Sequence, residues 1–214
     1  MHWADHTAQR LSEKYGSQVI ASGITPSGEF HIGHLREILT AEMIHRACLD
    51  AGEKSEYIFI VDSMDPLRRV YDFLSDDYEK YIGCPLAYIP SPNPDGTPNY
   101  EGESYAMHFL NPFLDALKQI GVNPVVVMNH ETYDKGLFAE KIDIAINRRE
   151  EIRNVIEEIS SRELPKEWYP YNPIGSDGSM DGLVITSYEK PYVYWIDRNG
   201  VSGKSDIRKA EGKM

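Results

Sequence analysis

The chain has 214 residues, 41% apolar and 26% charged, which is the composition of an ordinary folded protein and a length that suits one α/β domain plus an appendage. A net charge of −12 argues against a general nucleic-acid or membrane surface, although a local basic patch can still bind RNA. Only two cysteines, Cys48 and Cys84, stand far apart, so no disulfide framework or zinc site is readable from them; no apolar run reaches membrane-spanning length and the N-terminus lacks a signal-peptide pattern, which makes the cytoplasm the expected compartment.

Residues 2–15 read as a short amphipathic helix with Trp3, Ala8 and Leu11 inward and Gly16 as its stop. Residues 18–22 form the first strand, centred on Val19 and Ile20. A loop rich in glycine and hydroxyl residues follows, and then a helix over 31–50. There Ile32, Leu35, Leu39, Met43 and Ala47 fall at helical spacing and Gly52 sits at the C-cap. The run Tyr57-Ile-Phe-Ile-Val61 has the length and composition of a buried parallel strand. Strand, helix, strand in that order predicts a right-handed βαβ unit. Asp62 then stands at the carboxyl end of the second strand, beside the glycine loop, where open α/β sheets bind their ligands.

Residues 70–100 carry five prolines and an Asp95-Gly96 turn signal, and read as an irregular excursion over the surface. Helical spacing returns over 103–120 through Tyr105, Phe109, Phe113, Leu117 and Ile120, with Pro112 expected to kink or split it. Residues 124–128 are the third strand. A long charged helix is expected over 137–162, its inner face Phe138, Ile142, Ala145, Ile152, Ile156 and Ile159, its outer face a salt-bridged surface. From Pro165 the chain turns aromatic and rich in turn signals around short alternating runs, such as 183–187 and 192–196, which predicts a small antiparallel β ribbon. The last eleven residues are polar and are expected to end without a closing element. The resulting division is 1–164 as the parallel α/β part and 165–214 as the ribbon.

The chemistry concentrates at 21–34, A-S-G-I-T-P-S-G-E-F-H-I-G-H. A strand, a tight loop and a helix N-terminus together offer backbone amides and a partial positive charge to a phosphate. His31 and His34, three apart, lie on one face and add hydrogen bonds, or charge if protonated. Ser27, Gly28, His31, Gly33 and His34 are therefore the candidate nucleotide contacts. Gly33 leaves room for an adenine ring, and Gly23 and Gly28 allow close approach and positive φ. Thr25 and Ser27 either touch ligand or cap the helix. Asp62 is either a cap or the partner of a ligand ammonium. Asp65 either binds ligand or pairs with Arg68 or Arg69. Tyr105 and Tyr133 are core aromatics or pocket walls. Asp177 and Asp181 make a poor zinc set and read as turn residues.

These residues resemble the class I aminoacyl-tRNA synthetases, and among them the class I lysyl-tRNA synthetases common in archaea. The resemblance spans nearly the whole chain. It rests on the 21–34 stretch together with D-S-M-D-P-L-R-R-V (62–70), Y-I-G-C-P-L (81–86), E-S-Y-A-M-H-F (103–109) and Y-D-K-G-L-F-A-E-K-I (133–142). It implies the first half of a Rossmann-like catalytic domain that activates lysine with ATP and Mg2+ and passes it to the acceptor end of tRNA(Lys). His31 and His34 would then act on the triphosphate. Gly23, Thr25, Asp62, Tyr105 and Tyr133 would line the amino-acid pocket.

Three departures qualify the resemblance. The ribbon cysteines that many members carry are missing, so no zinc is expected. A K-M-S-K-S-like loop after the sheet is absent, and Val201-Ser-Gly-Lys-Ser205 imitates it only superficially, inside the ribbon. The helical anticodon-binding region is absent as well. The C-terminal half of such an enzyme would thus be a partner of this chain. The strand before the histidine loop is expected to be an unpaired sheet edge, prone to self-association.

Overall fold

The computed structural model describes residues 2–214. Helix α1 (Trp3–Ser12) leads into β1 (Ser17–Ile24), α2 (Ile32–Asp50) and β2 (Lys54–Val61). The excursion holds a 3-10 turn (Asp76–Tyr81) and an antiparallel pair, β3 (Pro90–Pro92) and β4 (Pro98–Ser104). Then come α3 (Tyr105–Gln119), β5 (Val125–Met128), α4 (Asn129–Asp134), α5 (Ala139–Asn147) and α6 (Arg149–Ser160). The C-terminal part contains β6 (Asn172–Pro173), β7 (Val184–Glu189), β8 (Tyr192–Ile196), β9 (Ser202–Asp206) and β10 (Gly212–Lys213).

The expected α/β class is what the chain adopts. β1, β2 and β5 form a parallel, Rossmann-like sheet in the order β1-β2-β5, and β7-β8-β9 form a separate antiparallel ribbon. Parallel register puts alternate residues of neighbouring strands on the same face. One face presents Ile24, Tyr57, Phe59 and Val61 to α2 and α3, where Ile38, Leu110, Phe113 and Leu117 complete a dry core. The other face is open: Val19 is 63% exposed, Val125 51% and Ile60 36%. β1 pairs only with β2 among the described residues, so the apolar edge expected from the sequence is present.

Several expectations about packing need correction. In α2 the buried residues are Ile38, Ala41, Glu42, Ala47 and Cys48, whereas Ile32 and Met43 face solvent. Of the predicted row, Leu35 and Leu39 do pack against the sheet core and Ala47 is buried, because α1 lies along the C-terminal half of α2 and buries Ala4 and Ala8 against Ala47 and Cys48. Trp3 stays outside. Pro112 does not split α3: it runs unbroken from Ser104, whose hydroxyl accepts from Met107 N–H at 3.4 Å.

The predicted helix over 137–162 is two helices, divided at Arg148, where φ is −106° and ψ 22°. Ile142 and Ile146 of α5 are buried, but α6 buries nothing and Ile159 is exposed. The outer salt bridges do form, Arg148–Glu151 at 2.6 Å and Arg153–Glu150 at 2.8 Å.

The excursion is better ordered than its prolines suggest. Leu67, Tyr78, Leu86 and Ile89 pack against Tyr105 and Phe109 as an apolar cluster of their own. The C-terminal residues do not trail off. β10 pairs with β6, and Lys213 and Met214 reach the carboxyl ends of the parallel strands. None of the helices among the described residues is long and apolar enough to cross a membrane.

Candidate active site at the strand ends

The site begins with the start of α2. His31 is its N-cap, with extended backbone at φ −129°. Its Nδ1 accepts the Gly33 N–H at 3.0 Å, and His34 Nδ1 accepts the His31 N–H, also at 3.0 Å. The two imidazoles thus make a reciprocal cap of the kind usually built from a hydroxyl and a carboxylate. Neither Thr25 nor Ser27 caps the helix.

The cap has a chemical consequence. A neutral imidazole carries one N–H, and a ring whose Nδ1 accepts must carry it on Nε2. Both rings therefore turn an Nε2–H away from the helix backbone, at the mouth where the dipole is positive. The rings lie 4.0 Å apart, centroid to centroid. Burial pulls the His34 pKa below its ordinary value and the neighbouring His31 adds to this, against a smaller opposing pull from Glu37. His34 is a neutral donor near pH 7, not a cation.

Gly33 has an internal reason as well as the one read from the sequence. A Cβ there would stand 2.8 Å from His31 Cε1, so a side chain would evict the cap. Gly23 and Gly28, by contrast, do not adopt positive φ, which corrects the expectation for both. A Cβ on Gly23 would make only ordinary contact with Ile60 O, at 3.7 Å, and its N–H donates to Glu37 at 3.2 Å.

A cleft of about 790 Å³ opens in front of the two histidines. Ser27, Gly28, Glu29, His31 and His34 form one wall. Tyr71, Phe73, Asn93, Pro94 and His108 from the excursion and α3 form the other. The excursion is therefore a wall of the site and not merely surface. Tyr105 is fully buried, and its hydroxyl donates to Ser27 O at 2.8 Å, so it props the loop from behind.

The second half of the site lies at the ends of β1 and β2. Thr25 Oγ1 donates to Asp65 at 2.6 Å. Asp62 accepts from Asn129 Nδ2 at 3.0 Å and from Lys213 Nζ at 2.9 Å, and Lys213 also bridges to Asp65. Asp62 therefore does hold an ammonium, supplied by the chain itself. The salt bridge of Asp65 runs to Lys213 rather than to Arg68 or Arg69; Arg69 lies 5.1 Å over the Tyr71 ring. Burial raises the Asp65 pKa, but hydrogen bonds from Lys213 and Thr25 outweigh it and hold the carboxyl below its ordinary range. Tyr133 is buried and its hydroxyl accepts the Met214 N–H at 3.1 Å.

Sequence reading missed Asn129, His130 and Lys213. Ser63 Oγ lies 2.8 Å from His130 Nδ1, which fastens α4 to the loop after β2. No local pattern marks Lys213, since its partners lie 151 and 148 positions earlier. In the ribbon the turn at 175–178 is held by protein groups: Arg198 pairs with Asp177 at 2.9 Å and Ser176 donates to Asp197 at 2.7 Å.

Comparison with known proteins places the chain in a family. The family model described as "tRNA synthetases class I (K)" matches residues 1–214. The chain is 40% identical over its full length to a lysine–tRNA ligase of Picrophilus torridus, of which it covers 41%. It is 42% identical over 95% of its length to the lysine–tRNA ligase of Archaeoglobus fulgidus, of which it covers 40%. With that of Methanocaldococcus jannaschii identity is 45% over 80% of the chain and 32% of the relative. The chain spans about two fifths of the length of the first two. A match to the family model from end to end, on a parallel sheet with a histidine-capped helix at its carboxyl ends, means that the chain belongs to the class I (K) tRNA synthetases.

Proposed function

We propose that this chain supplies the first half of the catalytic centre of a lysine–tRNA ligase, which couples ATP to lysine and transfers the lysyl group to the acceptor end of tRNA(Lys) in the cytoplasm. The observation that carries the reading is the histidine cap: it fixes two Nε2–H donors at a helix mouth, over a cleft large enough for a nucleotide. When the lysine carboxylate attacks the α-phosphate, negative charge builds on the phosphoryl oxygens and the departing pyrophosphate. Donors already fixed in place by backbone hydrogen bonds need no reorganisation to meet that charge.

Ser27, Gly28 and Gly33 are the proposed neighbours of the triphosphate and adenine. Gly23, Thr25, Asp62 and Tyr133 are the proposed border of the amino-acid pocket, and Tyr105 supports it through the loop. ATP comes as its magnesium complex. Among the described residues no group of three or more His, Cys, Asp or Glu side chains is placed to hold a metal ion.

The test is exchange of labelled pyrophosphate into ATP. Exchange that requires lysine is expected, weak in this chain alone. Equal exchange with glutamate would overturn the amino acid, and ATP binding by calorimetry without any exchange would reduce the chain to a nucleotide-binding domain.

A further inference from the structure

Two carboxylates, Asp62 and Asp65, stand side by side at the carboxyl end of β2, both turned toward Lys213. Side chains of this cluster are mostly covered, Lys213 being 18% exposed, Asp65 23% and Asp62 30%. Without a cation between them, two such carboxylates would share a proton. Lys213 removes the need for one. Its ammonium donates to both, and an ionised Asp65 can only accept.

That restriction propagates to Thr25. A threonine hydroxyl has one hydrogen and two lone pairs. The hydrogen is engaged by Asp65 Oδ2 at 2.6 Å. What remains to a ligand is a pure acceptor, suited to an ammonium and unsuited to a carboxylate. The whole cluster of Asp62, Asp65 and Lys213 carries one net negative charge, which favours a cationic amino acid over an anionic one at the strand ends.

We propose that Lys213 is a positioning residue for the amino-acid pocket: by holding Asp65 ionised it fixes the Thr25 hydroxyl as an acceptor for the bound amino acid's ammonium. The inference rests on the lysine reading above and deepens it. In this role Lys213 acts through Asp65. The charged and titratable groups facing Asp65 are Asp62 from the end of β2, Lys213 from β10, Arg68 from the loop after β2, Tyr133 from α4 and Asp181 from the segment before the ribbon. Lys213 alone among them is a cation hydrogen-bonded to Asp65.

The experiment titrates lysine calorimetrically into the 214-residue chain between pH 5 and 8, and follows the Asp65 carboxyl carbon by NMR over pH 2–8. For the unaltered chain lysine affinity is expected to stay flat across that range. In Lys213→Met it falls about tenfold at pH 7 and further toward pH 5, as the two carboxylates take up a shared proton, and the Asp65 titration moves upward. Lys213→Arg, which keeps the charge, restores the flat profile, and Thr25→Val loses affinity while moving the Asp65 titration upward by less than Lys213→Met does, since it removes only the smaller of the two hydrogen bonds that lower it. Lys213→Met with affinity equal to or above that of the unaltered chain would overturn the proposal, as would a loss of the same factor at every pH, which is what a purely structural role gives. If the unaltered chain binds no lysine, the lysine reading fails; the positioning role is then decided by NMR alone, and an Asp65 titration unmoved in Lys213→Met sinks it.

Discussion

The two halves of the site solve the same problem in different ways. The histidine pair and the Asp62–Asp65–Lys213 cluster are both polar groups satisfied from within the chain. In the first, partners are two or three residues apart, the contacts are exposed, and the bonds are neutral. In the second, partners are about 150 residues apart, the contacts are mostly covered, and the bonds are charged. The first half presents donors and the second acceptors. On the proposed function, the triphosphate of ATP would meet the first and the ammonium of the amino acid the second. The contrast also predicts that damage to the first shows chiefly in the phosphate chemistry, and damage to the second in stability and in lysine binding.

The largest effect separates them at once. His34→Ala removes an Nε2–H donor from the helix mouth, and lysine-dependent pyrophosphate exchange is expected to fall by about 10²–10³-fold, the usual cost of one preorganised donor. An exchange rate within threefold of the unaltered chain would mean that the pair only caps the helix.

Next comes Lys213→Met. Deleting one partner of a buried ion pair costs about 3–5 kcal/mol, and partial solvent access reduces this to about 2 kcal/mol here. Urea unfolding monitored by circular dichroism reads it directly. The Lys213→Met and Asp65→Asn effects are expected to be strongly non-additive, since the second removes the charge that the first leaves unpaired. Additive effects would break the claim that the cluster acts as one unit.

This difference in range also explains what the sequence disclosed. A capped helix after a strand is a local pattern, so 21–34, the βαβ order and the free edge of β1 were all legible. Thr25 and Asp62 were legible as polar residues at strand ends. Their partner was not, because Lys213 sits in a polar tail with no periodicity and gains its meaning only when β10 pairs with β6. The break at Arg148 was hidden for a related reason. No glycine or proline marks it, and residues 137–162 keep an amphipathic pattern throughout, while only α5 finds apolar partners in the ribbon. The excursion was misjudged because prolines signal irregular backbone, yet they do not prevent Leu67, Tyr78 and Leu86 from packing.

A smaller effect tests the cap itself. His31→Ala leaves the Gly33 N–H without its acceptor and is expected to cost about 1 kcal/mol in unfolding free energy. His31→Asn restores a good capping side chain and should return most of that stability without restoring exchange. If asparagine rescued the exchange as well, the imidazole donor would be irrelevant and the first half of the site would be purely structural.

The smallest effect places the two halves in separate pH windows. His34 has a depressed pKa in the folded chain, so the native state binds fewer protons than the unfolded one and stability rises with pH. Its contribution is fully present above the ordinary value of 6.5 and is lost as pH falls through the lower, folded value. Asp65 is depressed too, from an ordinary 3.8, so its contribution survives that first window and disappears only in stronger acid. Lys213 runs the opposite way. Burial lowers its pKa, but the hydrogen bonds to Asp65 and Asp62 more than compensate and raise it, so its contribution holds below 10.5 and is lost at higher pH still. Melting temperatures from pH 3 to 8 should therefore fall in two steps. His34→Gln, which keeps an acceptor for the His31 N–H but cannot take up a proton, should remove the upper step alone, and Asp65→Asn should diminish the lower one. A single step that both substitutions weaken would mean that the two ends of the site titrate as one network, and the division between a neutral donor end and a charged acceptor end would then be wrong.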